Sequence, residues 1–238
     1  MKILAIESSS LVASVAIIED DTMIAEYTIN YKKTHSQTLL PMIDEICKIT
    51  DYKLEDIDAI AVSAGPGSFT GLRIGSATAK GLGLALKKPL IHIPTVEAMA
   101  YNFYDTEKYI VPIMDARRNQ IYTGIYTNRE GIVKEILPQC IMGIDELIEK
   151  INEIRQPVVF LGDGVPVFRE KIEADILVKA VFAAAGTNRQ RAGAVAELGK
   201  QYFLQGKIET AAQHAPDYLR LSQAERERKI KDNNNKNE

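Results

Sequence analysis

Apolar runs and short polar turns alternate along the first third of the chain. Three runs rich in aliphatic residues follow one another, at residues 2–7, 12–18 and 23–29. Runs of this length joined by short turns predict an antiparallel meander of three strands. From Thr34 the apolar positions recur at helical spacing, which predicts a helix. Pro41 is tolerated in a first helical turn, so this helix is expected to begin near Leu40 or to be kinked there.

A glycine-rich stretch follows, with the order strand, turn, helix. Residues 57–63 form a short apolar run, which predicts a buried strand. Residues 68–86 lack proline and are mostly small or apolar, which predicts a helix. Gly65, Pro66 and Gly67 supply the turn between strand and helix. A helix N-terminus that is reached through glycines is suited to binding an anion.

Small residues recur at every fourth position of this stretch, at Gly67, Gly71, Gly75, Ala79 and Gly83. With 3.6 residues per turn they share one slowly drifting stripe of the helix. Each glycine inside a helix costs about 1 kcal/mol relative to alanine, so the stripe indicates that another backbone approaches closely. We expect a partner helix there, and packing inside the chain itself is the alternative.

The predicted partner face combines this helix with the helix that begins near Ser36. It takes apolar positions from both helices together with the small residues of the stripe. Its predicted members are Leu39, Leu40, Ile43, Gly67, Phe69, Gly71, Leu72, Arg73, Gly75 and Ala79.

The second half of the chain repeats the order of elements of the first half. The predicted elements are strands at residues 109–115, 120–126 and 131–137, a helix at 145–154 and a strand at 158–161. Glu7 and Asp115 therefore end equivalent strands, although few residues match between the halves. The repeat predicts an α/β chain of two tandem halves, each a mixed sheet flanked by helices.

The predicted division gives one half at residues 1–105, a second half at 106–224 and a tail at 225–238. The tail is charged and rich in asparagine, so it is expected to be disordered. A last helix is expected before the tail, from residue 190 to residue 205, with Thr187 as its cap.

Composition narrows the possible functions of this α/β chain. The chain has 238 residues and a net charge of −3, so no strongly basic field indicates direct binding of nucleic acid. Cys47 and Cys140 lack the spacing of a metal site and fit a reduced, cytoplasmic compartment. No signal peptide and no membrane span are expected. The three histidines, His35, His92 and His214, are scattered, which predicts that no metal site exists.

Several motifs resemble those of one known family. They are residues 3–9 (Ile-Leu-Ala-Ile-Glu-Ser-Ser), 35–41 (His-Ser-Gln-Thr-Leu-Leu-Pro), the glycine stretch at 65–75, residues 114–118 (Met-Asp-Ala-Arg-Arg) and 218–220 (Tyr-Leu-Arg). Together they resemble the TsaB family, also called YeaZ. The two similar halves resemble the actin-like ATPase architecture, with its ribonuclease H-like units. Glu7 stands where the family has Asp and keeps the charge.

The resemblance implies a role in making threonylcarbamoyladenosine in tRNA. It implies a non-catalytic subunit that assembles with a transferase, TsaD, and with an ATPase, TsaE, that also forms a homodimer, and that contacts tRNA only through its partners. The positions that match the metal-binding histidine pair of the transferase are Thr95 and Met99, and neither suits such a metal. No catalytic residue, metal or required cofactor is therefore expected.

Weak binding of ATP or ADP at the partner interface is the remaining ligand expectation. In actin-like ATPases, the turns after the first strand of each half grip phosphates. The corresponding residues here are Glu7, Ser8, Ser9 and Asp115, with Gly162 and Gly164 as a further glycine loop. The second turn lacks glycine and the chain contains no P-loop, which argues against independent turnover. A stand-alone actin-like ATPase or kinase is the main alternative, and a metallopeptidase would need ligands that Thr95 and Met99 do not supply.

Overall fold

The computed structural model describes residues 1–219, and its first half is built on a five-stranded mixed sheet. Its strands are β1 (Lys2–Glu7), β2 (Val12–Glu19), β3 (Thr22–Asn30), β4 (Ala59–Gly65) and β5 (Leu90–Pro94). The meander β1–β2–β3 is antiparallel, as the sequence predicts, whereas β4 lies parallel to β1 and to β5. The order β3-β2-β1-β4-β5 places the carboxyl ends of β1 and β4 side by side.

The second sheet repeats this topology. Its strands are β6 (Thr106–Asp115), β7 (Gln120–Arg129), β8 (Ile132–Gly143), β9 (Val158–Leu161) and β10 (Ala180–Phe182). Their order, β8-β7-β6-β9-β10, is that of the first sheet, strand for strand. The prediction of two tandem α/β halves with mixed sheets is therefore confirmed. The sequence does not predict β10, because three residues are too few to show a periodicity.

Six α-helices of the described chain cover the two sheets. They are α1 (His35–Thr50), α2 (Phe69–Leu86), α3 (Thr95–Ala100), α4 (Ile144–Ile154), α5 (Val165–Asp175) and α6 (Ala192–Leu204). Helices α1 and α2 pack on one face of the first sheet, and α4 and α5 pack on one face of the second sheet.

Helix α1 runs through Pro41, so the predicted opening near Ser36 is confirmed and the alternative in which the helix begins only near Leu40 is excluded. The helix begins at His35 and continues to Thr50, with Pro41 exposed. Leu39 and Ile43 are both buried against the first sheet. Tertiary packing of an apolar face supplies most of the stability of a helix, and here it outweighs the hydrogen bond that proline removes.

Helices α3 and α6 cross between the halves. Helix α6 packs on the first sheet although it follows the second sheet in the chain, and Gly199 lets its backbone approach Ala61 of β4. Helix α3 packs Val96 and Met99 against the second sheet. The boundary near residue 105 stays a prediction, because a helix from each side of it packs on the sheet of the other side.

Side chains of the first sheet bind the N-terminus of α6. The carboxylate of Glu26 on β3 accepts a hydrogen bond of 2.8 Å from the Gly193 N–H and pairs with the guanidinium of Arg191. A carboxylate is favourable at this end of the helix dipole. The N-cap is Arg191, so the expected cap at Thr187 is wrong.

The predicted tail at 225–238 and Arg220 of the Tyr-Leu-Arg motif lie outside the described residues. Within residues 1–219, no helix combines the length and the apolar character that a membrane crossing requires.

The small-residue stripe of α2 faces the turn that follows β1. A Cβ atom at Gly71 would collide with the carbonyl oxygen of Ser8, and one at Gly75 would collide with the Ser8 hydroxyl. That hydroxyl donates a hydrogen bond of 3.0 Å to the Gly71 carbonyl. Ala79, further along the stripe, is fully buried. The backbone that approaches the stripe therefore belongs to the chain itself, which is the alternative explanation, and the expected partner helix does not lie there.

Replacing Gly71 by alanine is expected to lower the free energy of unfolding by about 1–3 kcal/mol, because the new methyl group must displace the main chain of Ser8. Gly81 offers a matched control in the same helix, since nothing lies within 4 Å of its Cβ position. Gly81→Ala is expected to raise the stability by about 0.5–1 kcal/mol. Urea unfolding at one fixed protein concentration measures both changes. A Gly71→Ala protein as stable as the wild type would contradict this packing.

Candidate functional site

A cleft of about 630 Å³ lies where the turns after β1 and β6 face the N-termini of α1 and α2. Most of its polar lining comes from these four segments. The polar lining residues are Ser9, Ser10, Lys33, Thr34, His35, Ser36, Ser68, Thr70, Asp115, Arg117, Tyr122 and Asp163. In open α/β sheets, ligands bind at the carboxyl ends of strands, and β1 and β6 both end here.

The turn after β1 uses its own polar groups internally. The Ser9 N–H donates a hydrogen bond of 2.6 Å to the carboxylate of Glu7, and the Ser8 N–H donates to the Ser63 hydroxyl at 3.3 Å. The Glu7 side chain is fully buried and does not line the cleft. Burial raises the pKa of Glu7, and hydrogen bonds from Ser9 and Ser63 oppose that shift. These N–H groups are therefore occupied before any phosphate arrives.

The turn after β6 places one acidic and one basic side chain, those of Asp115 and Arg117, at the cleft. The carboxylate of Asp115 accepts a 2.7 Å hydrogen bond from the Arg117 N–H and lies 3.3 Å from its guanidinium. Arg117, Arg118 and Asn119 all have positive φ angles, which non-glycine residues rarely adopt. The chain therefore makes this turn without the glycine that the sequence lacks, and it presents the Arg117 guanidinium at the cleft.

The glycine loop after β9 packs on β6. Gly162 has a φ of +109°, and a Cβ there would collide with the carbonyl oxygen of Ile113. The Gly164 N–H donates to that same carbonyl at 3.0 Å, and the Gly162 N–H donates to Asn188 at 2.9 Å. Close packing explains both glycines. Asp163, between them, lines the cleft, and burial raises the pKa of its carboxyl.

Two of the six residues predicted to bind nucleotide, Ser9 and Asp115, line the cleft. Glu7, Ser8, Gly162 and Gly164 support it from behind. The sequence did not indicate Lys33, His35 or Asp163, which reach the cleft only through the tertiary fold. Weak nucleotide binding stays a prediction.

The residues of the predicted partner face divide by exposure. Those buried in the core of the chain itself are Leu39, Ile43, Gly71, Leu72, Gly75 and Ala79. Their assignment to a partner contact is corrected, because the chain already covers them. Gly67 and Phe69 are half-buried, and Leu40 and Arg73 are exposed.

The C-terminal segment covers part of the N-terminus of α2. The ring of Tyr218 lies 4.8 Å from that of Phe69, measured between centroids. The guanidinium of Arg73 lies 3.9 Å above the Phe69 ring and donates a 3.2 Å hydrogen bond to the Tyr218 hydroxyl. Phe69 is therefore held from within the chain.

A second stripe of α2 faces outward, and the sequence pattern did not predict it. Its exposed residues are Thr70, Arg73, Ala77, Gly81 and Leu84. We call these five residues the outer face of α2. Leu84 is 68% exposed, and Arg73 is the one charged member. Exposed surfaces this poor in charge mark interaction sites when they are contiguous.

Thr95 and Met99 lie one turn apart on α3, and both side chains are buried. Both residues lie in the core of this chain. The two positions that match the metal-binding histidine pair of the transferase therefore supply no metal ligand and do not face a cleft.

Two of the three histidines are not scattered in the fold. His92 on β5 and His214 meet beside Glu209, and one ligand atom of each lies within 4.8 Å of the others. The sequence separation of these residues concealed the cluster, so the premise for expecting no metal site is wrong.

Glu7→Gln is expected to make the stability of the chain less dependent on pH. The raised pKa means that the folded state favours the protonated carboxyl, a preference that is present at low pH and is lost as the pH rises through the folded pKa. Glutamine keeps an oxygen for the Ser9 N–H and cannot ionise. The variant should therefore gain stability relative to the wild type as the pH rises above the ordinary glutamate pKa of about 4.3.

Urea unfolding at several pH values measures this gain, with the exposed Glu45→Gln on α1 as control. Parallel pH profiles for the wild type and Glu7→Gln would show that Glu7 does not titrate as its burial requires.

Comparison with known proteins follows from this geometry. The chain matches, over residues 22–228, the family model described as TsaD: tRNA N6-adenosine threonylcarbamoyltransferase. A relative from Bacillus subtilis (strain 168), named tRNA threonylcarbamoyladenosine biosynthesis protein TsaB, is 35% identical over 94% of this chain and 96% of its own length. The protein of the same name from Escherichia coli (strain K12) is 32% identical over 69% of this chain and 72% of its own length.

A solved structure has the same fold. YeaZ from Pseudomonas aeruginosa matches with a TM-score of 0.76 and 23% identity, over 91% of this chain and 99% of that chain. The identity and coverage of the two curated relatives establish the relationship, and the chain belongs to the TsaB (YeaZ) family.

Proposed function

We propose that the chain is a non-catalytic subunit in the biosynthesis of threonylcarbamoyladenosine in tRNA, where it binds and activates a TsaD-like transferase. The names of its curated relatives support the pathway. The match to the TsaD family model, together with a TsaD relative that is 35% identical over 44% of this chain, supports a transferase of related sequence as the partner.

The buried positions of α3 support the non-catalytic part of this proposal. Thr95 and Met99 are 0% and 1% exposed, and Met99 packs between α3 and the second sheet. No substrate reaches them, and neither is a ligand for a hard or borderline metal. The transfer chemistry then belongs to the partner.

The outer face of α2 is the observation that carries the partner proposal. Gly81 is exposed, has open space around its Cβ position and still costs the helix about 1 kcal/mol relative to alanine. Nothing within the described chain needs a glycine there. Close packing of a partner helix on Ala77 and Gly81 explains why Gly81 is a glycine. This helix belongs to the transferase or to a second copy of this chain, and Leu84 and Leu40 supply apolar contacts.

The same proposal includes a further protein partner and a nucleotide. A TsaE-like ATPase joins the complex, and weakly bound ATP or ADP occupies the cleft beside Asp115 and Arg117. The net charge of −3 favours tRNA contact through the partners. Localisation of the chain in the cytoplasm stays a prediction.

A stand-alone actin-like ATPase or kinase is the rival function. The occupied N–H groups of the turn after β1 argue against it, since a phosphate would have to displace the Glu7 carboxylate. Steady ATP hydrolysis by the isolated chain, abolished by Asp115→Asn, would favour the rival.

The purified chain is expected to form no threonylcarbamoyladenosine from tRNA and threonylcarbamoyl-adenylate, because it lacks the ligands of a transfer site. Adding the TsaD-like transferase should produce the modified nucleoside, and more of it than the transferase produces alone. Mass spectrometry of digested tRNA measures both. Modified nucleoside formed by the chain without the transferase would refute the non-catalytic assignment.

Leu84→Asp is expected to weaken binding of the transferase at least tenfold, because a carboxylate on the outer face of α2 would be buried without a partner. Leu204→Asp is the matched control, since Leu204 on α6 is 70% exposed and Leu84 is 68% exposed. Both variants should melt like the wild type. Calorimetric titration with the transferase separates the outcomes, and equal affinities for the two variants would place the contact elsewhere.

A further inference from the structure

The segment after α6 returns to the first sheet and brings two acids and a histidine beside β5. The Glu209 N–H donates to the Leu90 carbonyl at 2.9 Å, and the Leu90 N–H donates to the Glu209 carbonyl at 2.8 Å. This pairing fixes Glu209 beside β5, the strand that carries both Leu90 and His92. Further along, the Asp217 N–H donates to the Ala64 carbonyl at 2.7 Å, at the end of β4. The cluster is therefore built on paired backbone.

Three side chains point their ligand atoms at one another. The Oε1 atom of Glu209 lies 2.6 Å from Nδ1 of His214 and 3.8 Å from Nδ1 of His92. Ligands around tetrahedral zinc at bond lengths near 2.1 Å are separated by about 3.4 Å. Shifts of less than about 1 Å would give these two pairs that separation, and all three ligand atoms already lie within 4.8 Å of one another.

A fourth side chain orients His92. The Nε2 atom of His92 lies 3.0 Å from the carboxylate of Asp217. Because a carboxylate only accepts, Nε2 carries the proton and the lone pair of the neutral ring lies on Nδ1, which faces Glu209. A histidine that binds a metal commonly donates its other N–H to a carboxylate in this way.

His214 is the buried member of the cluster. Its side chain is fully buried, and its Nε2 atom has no hydrogen-bond partner. Two carboxylates, those of Glu209 and Asp217, lie against the two imidazoles of the cluster. Neutral imidazole and ionised carboxylate are the forms that bind metals.

We propose that His92, Glu209 and His214 bind one divalent transition-metal ion of the zinc type, with Asp217 positioning His92. Two imidazoles and one carboxylate form a known zinc ligand set, and the partly exposed side of His92 leaves the fourth position to water. On binding, the neutral His214 ring changes tautomer: the Nδ1 proton that bridges to Glu209 leaves and Nε2 takes up a proton, so that the Nδ1 lone pair and the Glu209 carboxylate face the ion. This proposal reverses the expectation that the chain has no metal site, which was based on the separation of the histidines in the sequence. It is independent of the proposed function.

The ion would tie the C-terminal segment to the first sheet. Residues 209–217 would then be held to β5 by the metal as well as by backbone pairing. Tyr218, which stacks on Phe69 at the start of α2, follows directly after this segment. A metal site here would stabilise the segment without taking part in chemistry.

The test titrates zinc into the tag-free, chelator-treated chain and follows heat and melting temperature. One zinc ion per chain is expected, with a higher melting temperature for the loaded form. His92→Gln and Glu209→Gln should each weaken binding at least tenfold, and Asp217→Asn should weaken it about 10- to 100-fold. Glu173→Gln is the matched control, because Glu173 is a half-exposed acid on α5 that pairs with Arg169.

Cobalt(II) gives a second measurement, since a four-coordinate site with two imidazoles and a carboxylate produces visible absorption bands much stronger than those of free aqueous cobalt. The bands should appear in the wild type and in Glu173→Gln and be absent in His92→Gln. His92 and Glu209 are partly exposed, so these variants are expected to fold, and circular dichroism checks this. Absence of stoichiometric zinc in the wild type, or binding that is unchanged in both His92→Gln and Glu209→Gln, would overturn the proposal.

Discussion

The close seating of α2 on the turn after β1 is the contact on which the rest of the first half depends. Gly71 and Gly75 allow it, because any side chain there would meet Ser8. The contact brings the N-terminus of α2 to the cleft, where the Ser68 N–H donates to the Ser9 carbonyl and the Ser8 hydroxyl donates to the Gly71 carbonyl. The N–H groups of the turn, which a phosphate would need, are bound separately to Glu7 and Ser63.

That seating also decides which side of α2 remains available. The buried stripe is used within the chain, so the outer face of α2 is left with small and apolar residues and one charge, Arg73. Meanwhile α6 covers the opposite side of the first sheet, and Glu26 and Arg191 anchor its start. The first sheet is therefore covered on both sides by the chain itself, and α2 offers the surface on which a partner can pack.

Local patterns predicted most strands and most helices, because periodicity and turn residues act over a few positions. Local patterns left open whether Pro41 would delay the start of α1, and burial of Leu39 and Ile43 outweighs the local effect of that proline. Of the candidate site, the sequence indicated Ser9, in the turn after β1, and Asp115, which ends β6. Asp163 and the pair His92–His214 could not be predicted, because they come together only when segments far apart in the chain pack on one sheet.

The central claim is that the chain acts by presenting the outer face of α2 to a transferase. Hydroxyl-radical footprinting of the chain, with and without the TsaD-like transferase, tests this claim most directly because it reports side-chain exposure. Oxidation of Leu84 and Leu40 should fall on complex formation, while that of Leu177 and Leu204, which are 84% and 70% exposed, should not change. Unchanged oxidation of Leu84 in a complex that forms and modifies tRNA would contradict the account.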